Sequence, residues 1–372
     1  MGRYATEPPP RDPLRLPVED VLDEPHCAAF RLALANLLST EIAEITFAQI
    51  IDGLPLARVA FSTRGHRDKR YDPVAQHTEL CPGVLESTRA FRDAFDATKL
   101  ALDADVSPAN DRPGNNCRGG ARLTCPLKVL RRYQSVPVAS RAARPRLVEI
   151  TAVAVHAIAS LLFELDESRH KGTALTGEPP PSSDDEDDVE EDEDDDDDDG
   201  AGSDSSVPSS SSDGHRIKAL PPFPTPFTLS QYSDPAQYPD GVAALPGYWA
   251  EDQVFGGVVL FDRTEGSPSA TVWFHSFRDT VTRRIYALTE PQQAALVGFL
   301  QGGAGDGGCP LPILADATNR ERVDADIAIP ERNIFRDRWE RKITVASYEE
   351  YVERHERDVL TAVDYPELAD RG

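Results

Sequence analysis

Fifteen of the sixteen residues from 184 to 199 are aspartate or glutamate, interrupted only by Val189. Neighbouring carboxylates about 6 Å apart repel each other by roughly 0.7 kcal/mol even in water. No core can absorb such a run, which condenses only against cations and otherwise stays extended and solvated. Residues 172 to 222 around it are rich in Ser, Gly, Pro and Asp. They are read as a disordered acidic and serine-rich linker whose ends, as a flexible coil, lie about 40 Å apart. The fold must therefore be built from what lies on either side.

The run carries −15 of the formal net charge of −25. Residues 1 to 171 hold 23 Lys+Arg against 22 Asp+Glu, and residues 214 to 372 hold 16 against 24. That balance argues against general binding to nucleic acid or to anionic lipid, both of which need a cationic surface. With 372 residues and 40% hydrophobic content, a sizeable core is within reach once the linker is set aside. Cys27, Cys81, Cys117, Cys125 and Cys309 are odd in number and widely spread, and no apolar signal segment follows Met1. They are expected to be free thiols in a reducing compartment, cytoplasmic and/or nuclear. The most apolar stretch, residues 147 to 165, contains Glu149, His156 and Glu164, so no membrane span is expected.

Residues 1 to 17 are proline-rich and read as a disordered arm, and residues 18 to 171 as a helical half. From 25 to 51 apolar residues recur at three- and four-residue spacing, with Ser39 and Thr40 as a break and new cap. Residues 62 to 77 read as a loop, and further helices are expected over 85 to 102 and 146 to 167. The turn-forming stretch from 107 to 120 reads as a loop. Residues 223 to 372 read as an α+β half. Gln253 to Phe261 and Ala270 to Phe277 are expected to form an antiparallel pair, and Arg283 to Leu288 a third strand. Gly256-Gly257 suggests a bulge. Thr289, Pro291 and Gln292 open a helix with a capping box that runs to about Gln301. A charged helix is expected over 347 to 360, and Asn333 to Lys342 is read with Phe335 and Trp339 on one helical face. The fold class is thus α+β: a helical N-terminal half packed with a small antiparallel sheet and helices from the C-terminal half, interrupted by the linker. The two halves are expected to form one composite domain.

The acidic run has an opposite. Residues 112 to 148 contain Arg112, Arg118, Arg122, Lys128, Arg131, Arg132, Arg141, Arg144 and Arg146 and no carboxylate. Such a segment can contact phosphates, signal nuclear import or seat the acidic run. The bland alternative is that its cations pair with acids elsewhere in the fold. Only Tyr133 interleaves, so no stacking platform for bases is expected.

No metal site or cofactor is expected from the sequence. Seven residues separate Cys117 from Cys125, no second pair answers them, and His26, Cys27, His66 and His77 lack tight ligand spacing. An all-aspartate strand lacks the spaced ligands and glycine turn of a calcium loop. His156, Ser160 and Glu164 share a helix face but lack the exposed elbow that a nucleophile needs. His275, between Trp273 and Phe277, reads as a core histidine. The glycine-rich stretch from 302 to 308 follows a helix and reads as a connector rather than a phosphate cradle.

The strings SPANDRPGNNCRG, KVLRRYQSVPVASR, GYWAEDQVFGGVVLFDR and IFRDRWERK resemble segments of a group of uncharacterised proteins from filamentous fungi. The resemblance covers about half of the chain and implies a eukaryotic intracellular setting, with no activity to carry over. The leading functional expectation is a non-enzymatic interaction protein whose acidic tract contacts a basic partner or its own residues 112 to 148. One alternative is a small-molecule enzyme with a site built from distant residues, such as His275 with Glu251 or Asp262. Another is nucleic-acid binding through residues 112 to 146.

Overall fold

The computed structural model describes residues 15–63, 72–96, 101–102, 121–122, 124–165, 170, 224–264, 271–303, 308–341 and 364–365. The acidic run, the stretch from 107 to 120 and the helix expected over 347 to 360 lie outside the described residues.

The helical half opens on β1 (Arg15–Pro17), so regular structure begins inside the stretch read as an arm. Helix α1 (Glu24–Leu38) starts where the Asp23 carboxylate accepts the backbone N–H of His26 and Pro25 occupies the first turn. Thr40 then caps α2 (Glu41–Asp52), which Gly53 ends in the left-handed region at φ 91°. Two short helices follow, α3 (Ala57–Phe61) and α4 (Asp72–Gln76), the second inside a stretch read as loop. Helix α5 (Val84–Ala94) stops eight residues before the expected end. There Phe95 turns extended and β2 (Phe95–Asp96) pairs with β3 (Ala101–Leu102), which in turn pairs with β4 (Ala121–Arg122). Strand β5 (Thr124–Pro126) pairs antiparallel with β1. It leads into α6 (Leu127–Gln134) and the long α7 (Ala143–Glu164).

The C-terminal half contributes α8 (Ala244–Phe255), in which all twelve residues are buried. Such a helix lies inside the core, its acids included, and α8 packs against α7 and α2. It takes in Gln253 to Phe255, the first three residues of the expected strand. Gly256 ends it at φ 102°, and a Cβ there would sit 2.3 Å from the Ile313 carbonyl oxygen. The paired glycines thus make a helix stop rather than a bulge, and β6 (Val258–Asp262) begins only after them.

Strands β7 (Val272–His275), β8 (Ile285–Ala287) and β9 (Arg322–Val323) extend the sheet on one side of β6. Helix α9 (Glu290–Leu300), with the expected Thr289–Gln292 capping box, and α10 (Ala325–Ala328) complete the described helices. Strand β10 (Ile334–Phe335) pairs on the other side of β6, giving an antiparallel sheet ordered β10-β6-β7-β8-β9. The segment read as a helix around Phe335 and Trp339 is therefore an edge strand and the turn after it.

The protein is α+β, and one hydrophobic cluster draws on both halves. Phe30, Leu34, Ile50, Ile150 and Ile158 from the first meet Phe227, Trp249, Phe255 and Phe274 from the second, all fully buried. Each such side chain contributes about 1.5–3 kcal/mol relative to exposure. Helix α7 has the length and hydropathy of a membrane span, and 67% of that window is buried. Its burial against α1, α2 and α8 accounts for its apolar character.

Candidate functional site

A buried carboxylate needs partners, and two helices place glutamates in the core. Glu149 on α7 is 1% exposed and accepts from Arg263 Nη2 at 2.6 Å, Arg146 Nη1 at 3.1 Å and Arg132 Nη1 at 3.5 Å. Glu251 on α8 is fully buried and accepts from Arg336 Nη1 at 2.8 and 2.9 Å and from the Val259 N–H. His156 Nδ1 lies 3.0 Å from Glu251 Oε1, its ring against Gly247 at the α7–α8 crossing. Burial alone would raise both carboxyls, and the guanidinium groups overcome it and hold them below their ordinary values. Burial pushes His156 the other way, below its ordinary value, against the pull of Glu251.

Arg336 also donates through Nε to Glu340 Oε1 at 2.8 Å, so one cation stands between two buried carboxylates. Glu251 takes the two-pronged contact. Burial, with Asp337 and Glu251 nearby, raises Glu340 from 4.5 to about 7. Between those values the folded protein holds a proton that the unfolded chain has released, so stability falls as pH rises through this window. Glu340→Gln imitates the protonated acid. Its stability relative to wild type is expected to improve between pH 5 and pH 8 by at most about 3 kcal/mol, read from unfolding midpoints. Parallel pH profiles of the two proteins would show Glu340 ionised throughout.

These contacts decide where the basic segment goes. Arg132 and Arg146 converge on Glu149, Lys128 pairs with Asp337, and Arg141 lies 3.8 Å from Glu290. Arg131 and Arg144 are exposed and form no ion pair among the described residues. Arg122 is the second residue of β4, and Arg112 and Arg118 lie outside the described residues. The described cations thus reach separate destinations rather than one concave patch. Arg141 and Arg144 edge a cleft of about 530 Å³ shared with Glu290, Gln293, Asn319 and Arg320.

His156 and Ser160 do not form a nucleophile–base pair. Ser160 Oγ donates to the His156 carbonyl, not to its ring, and that ring faces Glu251. His275 is 1% exposed, with its Nδ1 3.4 Å from the Tyr232 hydroxyl and its ring against Phe277.

Spacing in the sequence named no metal ligands, yet the fold gathers four donors. Asp52 ends α2, His77 follows α4, Cys81 precedes α5, and His170 comes after α7. One ligand atom from each lies within 4.8 Å of all the others. His77 Nε2 is 3.1 Å from Asp52 Oδ2, Cys81 Sγ is 3.1 Å from His170 Nε2, and His170 Nε2 is 3.7 Å from Asp52 Oδ1. Asp52 is fully buried, and its Oδ2 also accepts the Cys81 N–H at 2.9 Å. Its Oδ1 accepts no hydrogen bond among the described residues. The local sequence signal is only the four-residue step from His77 to Cys81, while His170 is 89 residues beyond Cys81.

Comparisons with known protein families, with curated proteins and with solved structures find no match.

Proposed function

We propose that this chain is a non-enzymatic intracellular interaction protein whose acidic tract, residues 184 to 199, engages a basic partner. One observation carries the choice of an external partner over self-docking. Lys128, Arg132, Arg141 and Arg146 of the basic segment are already engaged by Asp337, Glu149 and Glu290 of the fold. Of that segment's cations with described side chains, only Arg131 and Arg144 are exposed without an ion pair among the described residues, so a self-docked acidic run would compete with existing acids for the others. The absence of a Ser160–His156 pair and the burial of His275 favour the non-enzymatic reading. The resemblance to filamentous-fungal proteins supports the intracellular setting.

Salt separates the two modes of contact. Charge attraction between exposed groups is screened within about 10 Å at 0.1 M ionic strength. A self-docked tract is released as salt rises and the radius of gyration grows. A tract displayed for a partner repels itself at low salt, so the radius stays constant or shrinks. Small-angle scattering of the full chain from 20 mM to 1 M NaCl is expected to give the second result. A lysine-rich peptide is expected to bind the full chain at low salt and to lose that binding when residues 184 to 199 are deleted. Expansion of the full chain with salt, absent in the deletion variant, would overturn the proposal in favour of self-docking.

A further inference from the structure

We propose that Asp52, His77, Cys81 and His170 bind a single zinc-class divalent ion in a closed, tetrahedral, structural centre. The donor set is one thiolate sulfur, two imidazole nitrogens and one carboxylate oxygen. That mixture suits zinc, whereas magnesium and calcium take oxygen shells. In a tetrahedron with bonds of about 2.0–2.3 Å, ligand atoms stand roughly 3.3–3.8 Å apart. Three contacts in the cluster measure 3.1, 3.1 and 3.7 Å, the first and last to different oxygens of Asp52, and one donor atom from each residue lies within 4.8 Å of the others, which is close to that spacing.

Two further features point to a cation rather than to a chance gathering of polar groups. The first concerns the proton on His77. Its Nδ1 lies 3.0 Å from the Pro55 carbonyl oxygen, which can only accept, so Nδ1 carries the hydrogen. In the neutral ring Nε2 is then a lone pair, and it faces the lone pairs of Asp52 Oδ2 at 3.1 Å. Two acceptors at that distance repel unless a cation binds both or the ring takes a second proton. A carbonyl on the far nitrogen is also how metal-bound histidines are commonly oriented.

The second feature concerns Asp52. Its carboxylate is fully buried at the last residue of α2, the negative end of the helix dipole, where a carboxylate is disfavoured. One of its oxygens accepts no hydrogen bond among the described residues and lies 3.7 Å from His170 Nε2. A cation beside the carboxylate answers both the burial and the dipole, whichever of the two oxygens it binds.

Three of the ligands come from a short stretch held together without metal. Cys81 N–H donates to Asp52 Oδ2, and Ala57 N–H donates to the His77 carbonyl at 2.8 Å. His170 is the remote donor, and its side chain is 27% exposed. The centre therefore fastens the chain beyond α7 to the end of α2, two residues before the linker begins. Four protein ligands leave no open position for a substrate, which marks the ion as structural.

The test uses the full chain, freed of metal by a chelator, and a parallel chain lacking residues 184 to 199, whose carboxylates could collect ions themselves. Both are titrated with zinc against a chromophoric chelator and with cobalt for its spectrum. The expected result is one tight equivalent in each, with tetrahedral ligand-field bands and a thiolate-to-cobalt charge-transfer band. Cys81→Ser should remove the charge-transfer band. His170→Ala, at the partly exposed position, should keep the fold. Each is expected to weaken zinc at least about 100-fold, the upper end of what losing a mere supporting group costs. Octahedral cobalt without a sulfur band would overturn the proposal, as would binding that vanishes with the tract and survives Cys81→Ser.

Discussion

Removing the metal from the wild-type chain is expected to lower its unfolding midpoint by roughly 10 °C, and Asp52→Asn is expected to abolish that difference. An ion held in the folded state and present at about a thousand times its dissociation constant stabilises by about 4 kcal/mol. For a fold of this size each kcal/mol moves the midpoint by about 2–4 °C. The variant makes the argument specific, because asparagine keeps the shape of the side chain and can still accept the Cys81 N–H while carrying no charge. With zinc, wild type should be the more stable of the two. After chelation the order should reverse, since wild type then buries an uncompensated carboxylate at the negative end of α2. Thermal unfolding of both proteins, with zinc and with chelator, checks both halves. A chelator effect that is equal in the two proteins would place the stabilising ion elsewhere.

Glu251→Ala is expected to cost about 3–5 kcal/mol, because it leaves Arg336 and His156 buried beside a vacated acid. The fully buried Glu251 holds Arg336 through both oxygens, and Arg336 in turn anchors the strand and turn that close the sheet edge on β6. Replacing Glu251 by glutamine and Arg336 by methionine together should cost clearly less than the two single changes added, since neither group is then stranded. The pair also sets an acid limit. The carboxyl of Glu251 lies below its ordinary value in the fold, so its contribution is complete above the unfolded value and disappears as pH falls through the folded one. Denaturant unfolding of the single and double variants at pH 7 measures the coupling. Additive costs would reduce the contact to two independent burials.

Local chemistry was legible wherever a short-range signal decides the structure. The Thr40 and Thr289 caps, the proline in the first turn of α9 and the apolar periodicity of α7 each act within a few residues, and the fold follows them. The misreadings fall where tertiary contact overrules local preference. The run Val254 to Phe261 is continuously apolar and reads as strand throughout, yet its first residues are drawn into α8 because the α7 and α2 faces bury them. The charged stretch from 333 to 342 spaces Phe335 and Trp339 four apart as a helix would, but Arg336 is pulled inward to Glu251 and Ile334 and Phe335 pair with β6.

Glu149 and Glu251 carried a readable signal, since an acid within an otherwise apolar helix must find a cation if it is buried. The metal cluster carried almost none. Asp52 ends α2, His77 and Cys81 lie between α4 and α5, and His170 lies six residues past α7, so its members are spread along the sequence and the packing of α2 against α5 and α7 helps bring them together.

The most direct measurement of the central claim is the zinc K-edge X-ray absorption of the full chain loaded with one equivalent of zinc. The account expects one sulfur at about 2.3 Å and three nitrogen or oxygen atoms at about 2.0–2.1 Å. A shell of oxygen and nitrogen alone, with no sulfur, would contradict it.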